Sequence, residues 1–539
     1  MTRTLTLSSI VALSLCLQPW YAEAQVAVLV ENINPSGGSV PEQLTDVNGM
    51  LYFTANDVAN GIELWRSDGT ASGTMLVEDI NPDGGSGPLN LTPWGDLLYF
   101  QAVDGVNGAE LWLSDGTPQG TSLVADIHPT GSAEPAYLTL MDDILYFAAN
   151  DGSTGVELWR TDGTGTGTYQ VLDIRPAGSS EPRDLVVFNG LLYFTAEDDV
   201  NGREVWRSDG TAAGTELLAD VAPSGSADPE ELTVSGGLLY FQAKVTPGAG
   251  VELWRSDGTA GGTLLVMDIN PGGNSDPSQL TDAEGTLFFT ATDGDSGIEL
   301  WKSDGTANGT VMVRNINASV GSSPQELMYS NGVLFFSATD GVFGRELWRS
   351  DGTEAGTLLV KDINPLGNSN SSPEYLTPYL AAVYFRSTDG VNGFELWRTD
   401  GTEAGTVLVA DINPVGSGDP AEMTVSNAVL YFRANDGSSG HELWKLDGNV
   451  GLPDGSTRTA IALYPVPVKE VLFVRSGSAG ATPTGWQVHN ASGAAVLTGS
   501  ALFRAGVLQV DVSGLGVGLY LLTVIDGNGR RYPAPFIKE

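Results

Sequence analysis

The chain has 539 residues, with 25 Lys plus Arg against 66 Asp plus Glu, and a formal net charge of −41. That balance excludes nucleic acid as a partner, because phosphate binding needs a positive surface, and it disfavours anionic membranes. It fits a soluble exported protein or a cation-binding surface.

Residues 1–24 read as a secretory signal peptide. Arg3 gives a basic start, Ile10 to Leu17 an apolar stretch, and Ala22-Glu-Ala24 a small-residue cleavage pattern before Gln25. Cys16, the single cysteine, lies inside this segment, and Leu15 before it is not the small residue of a lipoprotein signal. The mature chain therefore has no disulfide, and its stability rests on packing. No other run reaches the ~18 apolar residues of a membrane helix, so no transmembrane segment is expected.

From residue 25 to 448 the chain repeats itself. Glu-Leu-Trp, once Glu-Val-Trp, recurs at Trp65, Trp112, Trp159, Trp206, Trp254, Trp301, Trp348, Trp397 and Trp444, and most copies continue as in Glu63-Leu-Trp-Arg-Ser-Asp-Gly-Thr70 with Gly73-Thr74. In the copy that follows Pro135, four short runs are bounded by turn formers: Ala136 to Leu140, Ile144 to Ala149, Val156 to Arg160 and Thr168 to Ile174. Their aromatic and β-branched content makes them strands, and the short Gly-containing gaps make antiparallel hairpins. A four-stranded unit of this length, repeated, predicts an all-β chain folded as a closed β-propeller. The second strand is apolar on both faces, as a sheet between two neighbours must be, and the Trp reads as a wedge between sheets. Val26 to Ile33 matches a fourth strand, and the last copy stops after its third. Pairing the two completes a ninth blade and leaves no edge; an eight-bladed ring with one irregular unit is the other count.

Asp68 and its eight equivalents precede Gly, and a second set from Asp57 to Asp436 lies between strands two and three. Calcium wants clustered carboxylates, yet neither set has a dense loop spacing, so turn chemistry accounts for both and no cofactor is expected. Glu63 and its equivalents, and the basic residue after most of the Trp residues, recur in every copy and read as scaffold. The three histidines share no motif, and no nucleophile elbow, zinc motif or phosphate loop is present. Function is sought where the copies disagree. One position after the first strand holds Val47, Trp94, Met141, Phe188, Ser235, Ala283, Ser330, Tyr379 and Ser426. There, Trp94, Phe188 and Tyr379 are candidate ligand-binding aromatics, with local packing as the alternative. Irregular loops at Lys244 to Gly250 and Leu366 to Pro373 are further candidates.

The phrase Glu-Leu-Trp-x-x-Asp-Gly-Thr-x-x-Gly-Thr resembles the ELWxxDGT repeat of bacterial surface and secreted proteins, which implies a propeller-like module without a settled activity. Residues 449–460 read as a linker. In residues 461–539 the period disappears and the pattern is that of a small β-sandwich. Tyr464-Pro465-Val466-Pro467, Gly518 with Tyr520 and the terminal Lys538 resemble the C-terminal sorting domain of type IX secretion, with Val466 standing where the family has Asn. The resemblance implies the type IX secretion machinery as partner and delivery to the outer surface of a Gram-negative bacterium. The expected function is a non-enzymatic scaffold for adhesion or recognition of an extracellular glycan or protein ligand. An exported polysaccharide-active enzyme is the second reading.

Overall fold

A computed structural model describes residues 26–245, 250–447 and, in the tail, 461–464, 468–469, 471–476, 483–490, 495–500, 507–516, 518–526 and 531–538. The signal segment, the linker, Pro465, Pro467 and positions 246–249 of the first irregular loop lie outside these residues. The chain divides into two compact units, 1–450 and 451–539.

The first unit is propeller-like and holds nine four-stranded antiparallel sheets. Sheet 3 is representative, with strands Ala136–Met141, Ile144–Asn150, Val156–Thr161 and Tyr169–Leu172 in order of pairing. Its second strand is buried on both faces, from Leu145 to Ala149. The fourth strand stops at Leu172, short of the expected Ile174, because the Ile174 N–H leaves the ladder and donates to Glu157 Oε2 at 3.0 Å.

The Trp wedge is borne out. Trp159 of sheet 3 packs with Tyr99, Leu111 and Val124 of sheet 2, and Trp206 of sheet 4 packs with Tyr146, Leu158 and Val171 of sheet 3. Equivalent clusters follow at each later interface. Sheet 9 is built from Ala421–Ser426, Val429–Asn435, His441–Asp447 and the N-terminal strand Val26–Glu31. Val26 pairs with Asp447 and Leu29 with Trp444. Val30, Ile33, Tyr431 and Leu443 then share a core with Leu44, Leu51 and Phe53 of sheet 1. The sheets thus follow one another in chain order, nine in number, Val26–Glu31 completes the ninth, and the ninth borders the first.

Each first strand carries a β-bulge that the alternation of its residues did not reveal. Its second residue, from Gln43 through Tyr137 and Tyr375 to Glu422, has φ between 53° and 61° in all nine sheets. First strands of successive sheets touch one another round the whole unit, so these nine residues form a belt at its hub.

The tail contains a three-stranded sheet, Ile461–Tyr464, Val471–Ser476 and Val507–Asp511, and a four-stranded one running Ala495–Ser500, Pro483–Asn490, Gly518–Asp526 and Arg531–Lys538. Leu472, Val488, Leu508, Val510, Leu522, Val524 and Phe536 from both sheets form one core, which makes this unit a sandwich.

Candidate functional site

The recurrent polar residues serve the scaffold. In the Asp-Gly-Thr turn, Asp68 Oδ1 accepts from the Thr70 N–H and hydroxyl at 2.9 and 2.7 Å, and Thr70 Oγ1 accepts from the Gly73 N–H at 3.0 Å. A Cβ at Gly73 would lie 2.0 Å from the Asp68 carboxylate, which explains the second glycine of the phrase. Asp57 is likewise bonded to the Asn60 N–H and amide at 2.8 and 2.7 Å. Among the described residues, the carboxylates considered for calcium are engaged inside their own turns, as Asp68, Asp115, Asp162 and Asp57 show.

The Glu before each Leu-Trp is fully buried in all nine sheets. Glu157 accepts from the Ile174 N–H, the Ser180 N–H at 2.9 Å and the Ser180 hydroxyl at 2.6 Å, which fixes the crossing from sheet 3 to sheet 4. The basic residue after Trp also bridges sheets: Arg160 donates to the Gly210 carbonyl at 3.1 Å, and Lys302 Nζ to the Gly352 carbonyl at 2.8 Å.

The variable position points into the interface between neighbouring sheets. Phe188 and Tyr379 are buried and Trp94 is half-buried, their rings tilted against Tyr193, Tyr384 and Tyr99 with centroids 5.6, 5.5 and 5.0 Å apart. Gly163 and Gly258 of the following sheets close over Trp94 and Phe188. The expectation that these aromatics present ring faces to a ligand is therefore corrected: they are spacers that fill the gap between sheets. Of the second irregular loop, Asn370 is tied back to Arg345 N at 2.8 Å while Leu366 stands exposed.

At one interface with a small spacer, the gap stays open. Between sheets 6 and 7 the position holds Ala283, and Phe288 replaces the Tyr found in most copies. A cavity of ≈ 260 Å³ opens there, with Ala283, Phe288 and Leu334 among its lining and Glu284, Lys302, Tyr329 and Asp351 contributing polar groups. Partial burial and the Glu284 carboxylate to which it donates raise the Tyr329 phenol above its usual range. Asp351 is occupied by Thr353, and Lys302 by Gly352, so the groups with spare capacity are Glu284 and the remaining Lys302 N–H bonds. The exposed surface of the cavity is mainly polar, with Phe288 and Leu334 as its apolar patch, which suits a hydroxyl-rich small molecule. Sequence reasoning passed over Ala283 because the signal is a missing side chain, visible only once Trp94, Phe188 and Tyr379 are known to fill the same space.

In the tail, Gly518 pairs with Lys538 and Tyr520 with Phe536 across one ladder, and the Tyr520 ring stacks on Phe536 with centroids 5.6 Å apart. Three of the sorting residues, Gly518, Tyr520 and Lys538, are thus brought to one strand pair. Tyr464 lies in the other sheet, with its backbone opposite Phe473.

Residues 462–538 match the family of the secretion system C-terminal sorting domain. The tail is a type IX sorting domain. The protein is therefore secreted or displayed at the cell surface. No curated protein matches the chain. Among solved structures it is similar to a puromycin hydrolase, at 15% identity over 64% of this chain and 58% of that one, with a TM-score of 0.36. Another similar structure is a prolyl endopeptidase, at 12% identity over 64% of this chain and 55% of that one, with a TM-score of 0.35. A third is an extracellular domain of a two-component system from B. thetaiotaomicron, at 11% identity over 92% of this chain and 74% of that one, with a TM-score of 0.32. The expectation that the chain is not an enzyme is corrected by these matches, since peptidases stand among them. At such identities and TM-scores they assign this chain no reaction.

Proposed function

We propose that this protein is an extracellular binding protein that holds a sugar-sized group of a glycan in the cavity beside Ala283. The carrying observation is that cavity, open at a position where three other sheets insert Trp94, Phe188 or Tyr379. Its volume equals that of roughly nine waters, and a pyranose ring has the matching amphipathic character: an apolar face for Phe288 and hydroxyls for Glu284 and Lys302.

The test is a glycan and matrix-protein binding screen on the secreted protein beside an Ala283→Trp variant. Trp94 shows that the fold accommodates indole at this position, so the variant fills the cavity and leaves the scaffold intact. A glycan retained by the wild type and bound at least ~10-fold more weakly by the variant, with no loss of melting temperature, supports the assignment. A screen in which no retained glycan is weakened by Ala283→Trp refutes it.

Delivery has its own prediction. Deleting Tyr464 to Glu539 removes the sorting domain and leaves the repeat unit in the periplasm, as read by fractionation and surface labelling. Unchanged surface display would contradict the role assigned to the tail.

A further inference from the structure

We infer that the hub of the repeat unit is a second ligand site, in which Tyr137 and Tyr375 stack on an elongated neutral glycan. The observation is an exception in the left-handed belt. In most sheets the second residue of the first strand bonds to the next sheet. Glu422 accepts from the Gln43 N–H at 2.9 Å, Gln43 and Asn90 donate to the carbonyls of Pro88 and Pro135 at 3.0 Å each, and Glu231 accepts from the Leu280 N–H at 3.0 Å. Gln279 and Glu326 accept from Leu327 and Tyr375 in the same way, at 3.3 and 2.9 Å. Among the described residues, Tyr137 and Tyr375 make no side-chain bond of this kind.

A phenol ring is a poor choice for this position on structural grounds. Left-handed backbone suits Asn and Asp, whose short polar side chains bond locally, and it strains a bulky residue. Tyr137 and Tyr375 sit at φ 56° and 57°, give up the link to the next sheet, and remain 44% and 37% exposed. No folding gain offsets these costs, and strain without a structural return marks a functional position.

Their placement fits one ligand chemistry. Tyr137 belongs to sheet 3 and Tyr375 to sheet 8, which are four sheets apart one way round and five the other, so the rings stand on opposite walls of the hub. The belt between them carries amides and carboxylates. Aromatic platforms flanked by such groups suit a chain of pyranose units, whose apolar faces stack and whose hydroxyls both donate and accept. The first strand of each sheet has a neighbour on one side only, so an extended peptide is the competing occupant, and the experiment includes one. This site stands apart from the cavity beside Ala283, and neither depends on the other.

The experiment titrates the secreted protein with cellohexaose, maltohexaose and mannohexaose, and with a lysine- and arginine-rich peptide of similar length. The variants are Tyr137→Asn, Tyr375→Asn and the two Tyr→Phe changes; Asn90 shows that Asn is native to this backbone. Binding of at least one hexasaccharide, weakened ~10-fold or more by either Asn variant and kept within ~3-fold by the Phe variants, is the expected result. The melting temperature of the Asn variants is expected to stay level or rise. Absence of hexasaccharide binding, Asn variants that bind as the wild type does, or a preference for the peptide would each overturn the inference. Ala283→Trp is expected to bind the hexasaccharide at this site unchanged, which separates failure here from failure of the cavity.

Discussion

Replacing Glu442 by alanine is expected to lower stability by roughly 3–6 kcal/mol, and by more than the same change at Glu157. Glu442 accepts from the N–H groups of Ile33, Asn34 and Ser39, each at 3.1 Å, and from the Ser39 hydroxyl at 2.5 Å. All of this is buried, so alanine leaves three backbone donors without an acceptor. Glu157 holds a comparable set, but its strand is joined by a short turn to the fourth strand of its own sheet, whereas Val26–Glu31 has no such turn to His441–Asp447 and is held beside it by strand pairing and by this carboxylate. A local loss at Glu157 is contained. At Glu442 it frees this joint, which must be closed again at the entropic cost of a very long loop. Urea unfolding of the two variants and the wild type measures the difference. Equal midpoints for the two variants would contradict the special role of the joint. Glu442→Gln, which retains one acceptor oxygen, is expected to fall between wild type and alanine.

The second large effect is an acid-shifted stability optimum. Burial holds eight of the repeat's buried glutamates above their ordinary value, to about 7 for Glu63, Glu346 and Glu395 and about 8 for Glu204, with Glu110, Glu157, Glu252 and Glu442 raised in the same direction. Glu204 is highest for a visible reason. Ala227 stands where Ser180 and Ser275 supply a hydroxyl to their glutamates, and the Val221 N–H reaches Glu204 only at 3.3 Å. A carboxyl group that binds its proton more tightly folded than unfolded contributes stability fully present below the unfolded value of 4.5, and lost as pH rises through the folded value. Across this set the loss runs from about pH 4.5 to 8. The turn aspartates act in the opposite sense. Their hydrogen bonds keep them low, Asp151 at about 2, so their contribution is present above 3.8 and lost as pH falls towards 2. The urea midpoint of the secreted protein is therefore expected to be highest near pH 4.5–5 and to fall steadily to pH 8. A midpoint that rises between pH 5 and 8 would refute this account. Ala227→Ser is expected to remove part of the drop between pH 7 and 8.

The parts of the fold that were legible in the sequence are those written periodically. The Trp phrase, the doubly buried second strand and the spare strand at Val26 pointed to nine four-stranded sheets and to the strand that completes the ninth, because each depends on residue type at a fixed spacing. Features that depend on what a neighbouring sheet does were not legible. Phe188 and Tyr379 look like exposed recognition residues in a list of variable positions, yet Gly258 and Tyr384 show their rings to be enclosed. The bulge at Gln43 and its equivalents was hidden because a left-handed residue leaves the polar-apolar pattern nearly undisturbed. The cavity beside Ala283 could not be read at all from one copy, since it is a difference between interfaces. In the tail, Gly518, Tyr520 and Lys538 were found by motif, and their meeting on one strand pair gives the motif a physical basis.

The pairing of Val26–Glu31 with His441–Asp447 also sets an order of events. A chain emerging from its N-terminus presents the closing strand first and its partner some four hundred residues later, so the earliest strand must wait, unpaired, for nearly the whole unit to appear. The other strand pairings of this unit lie within one repeat and form sheet by sheet, while this one has the longest sequence separation among the described pairings and is slow for that reason. Completion of the unit is thus a report that the full set of sheets has been made: a chain stalled in any earlier copy keeps Val26–Glu31 as a free edge, open to proteolysis and aggregation. Because the sorting domain follows the last sheet directly in sequence, a finished propeller-like unit and the signal for its export become available at nearly the same moment.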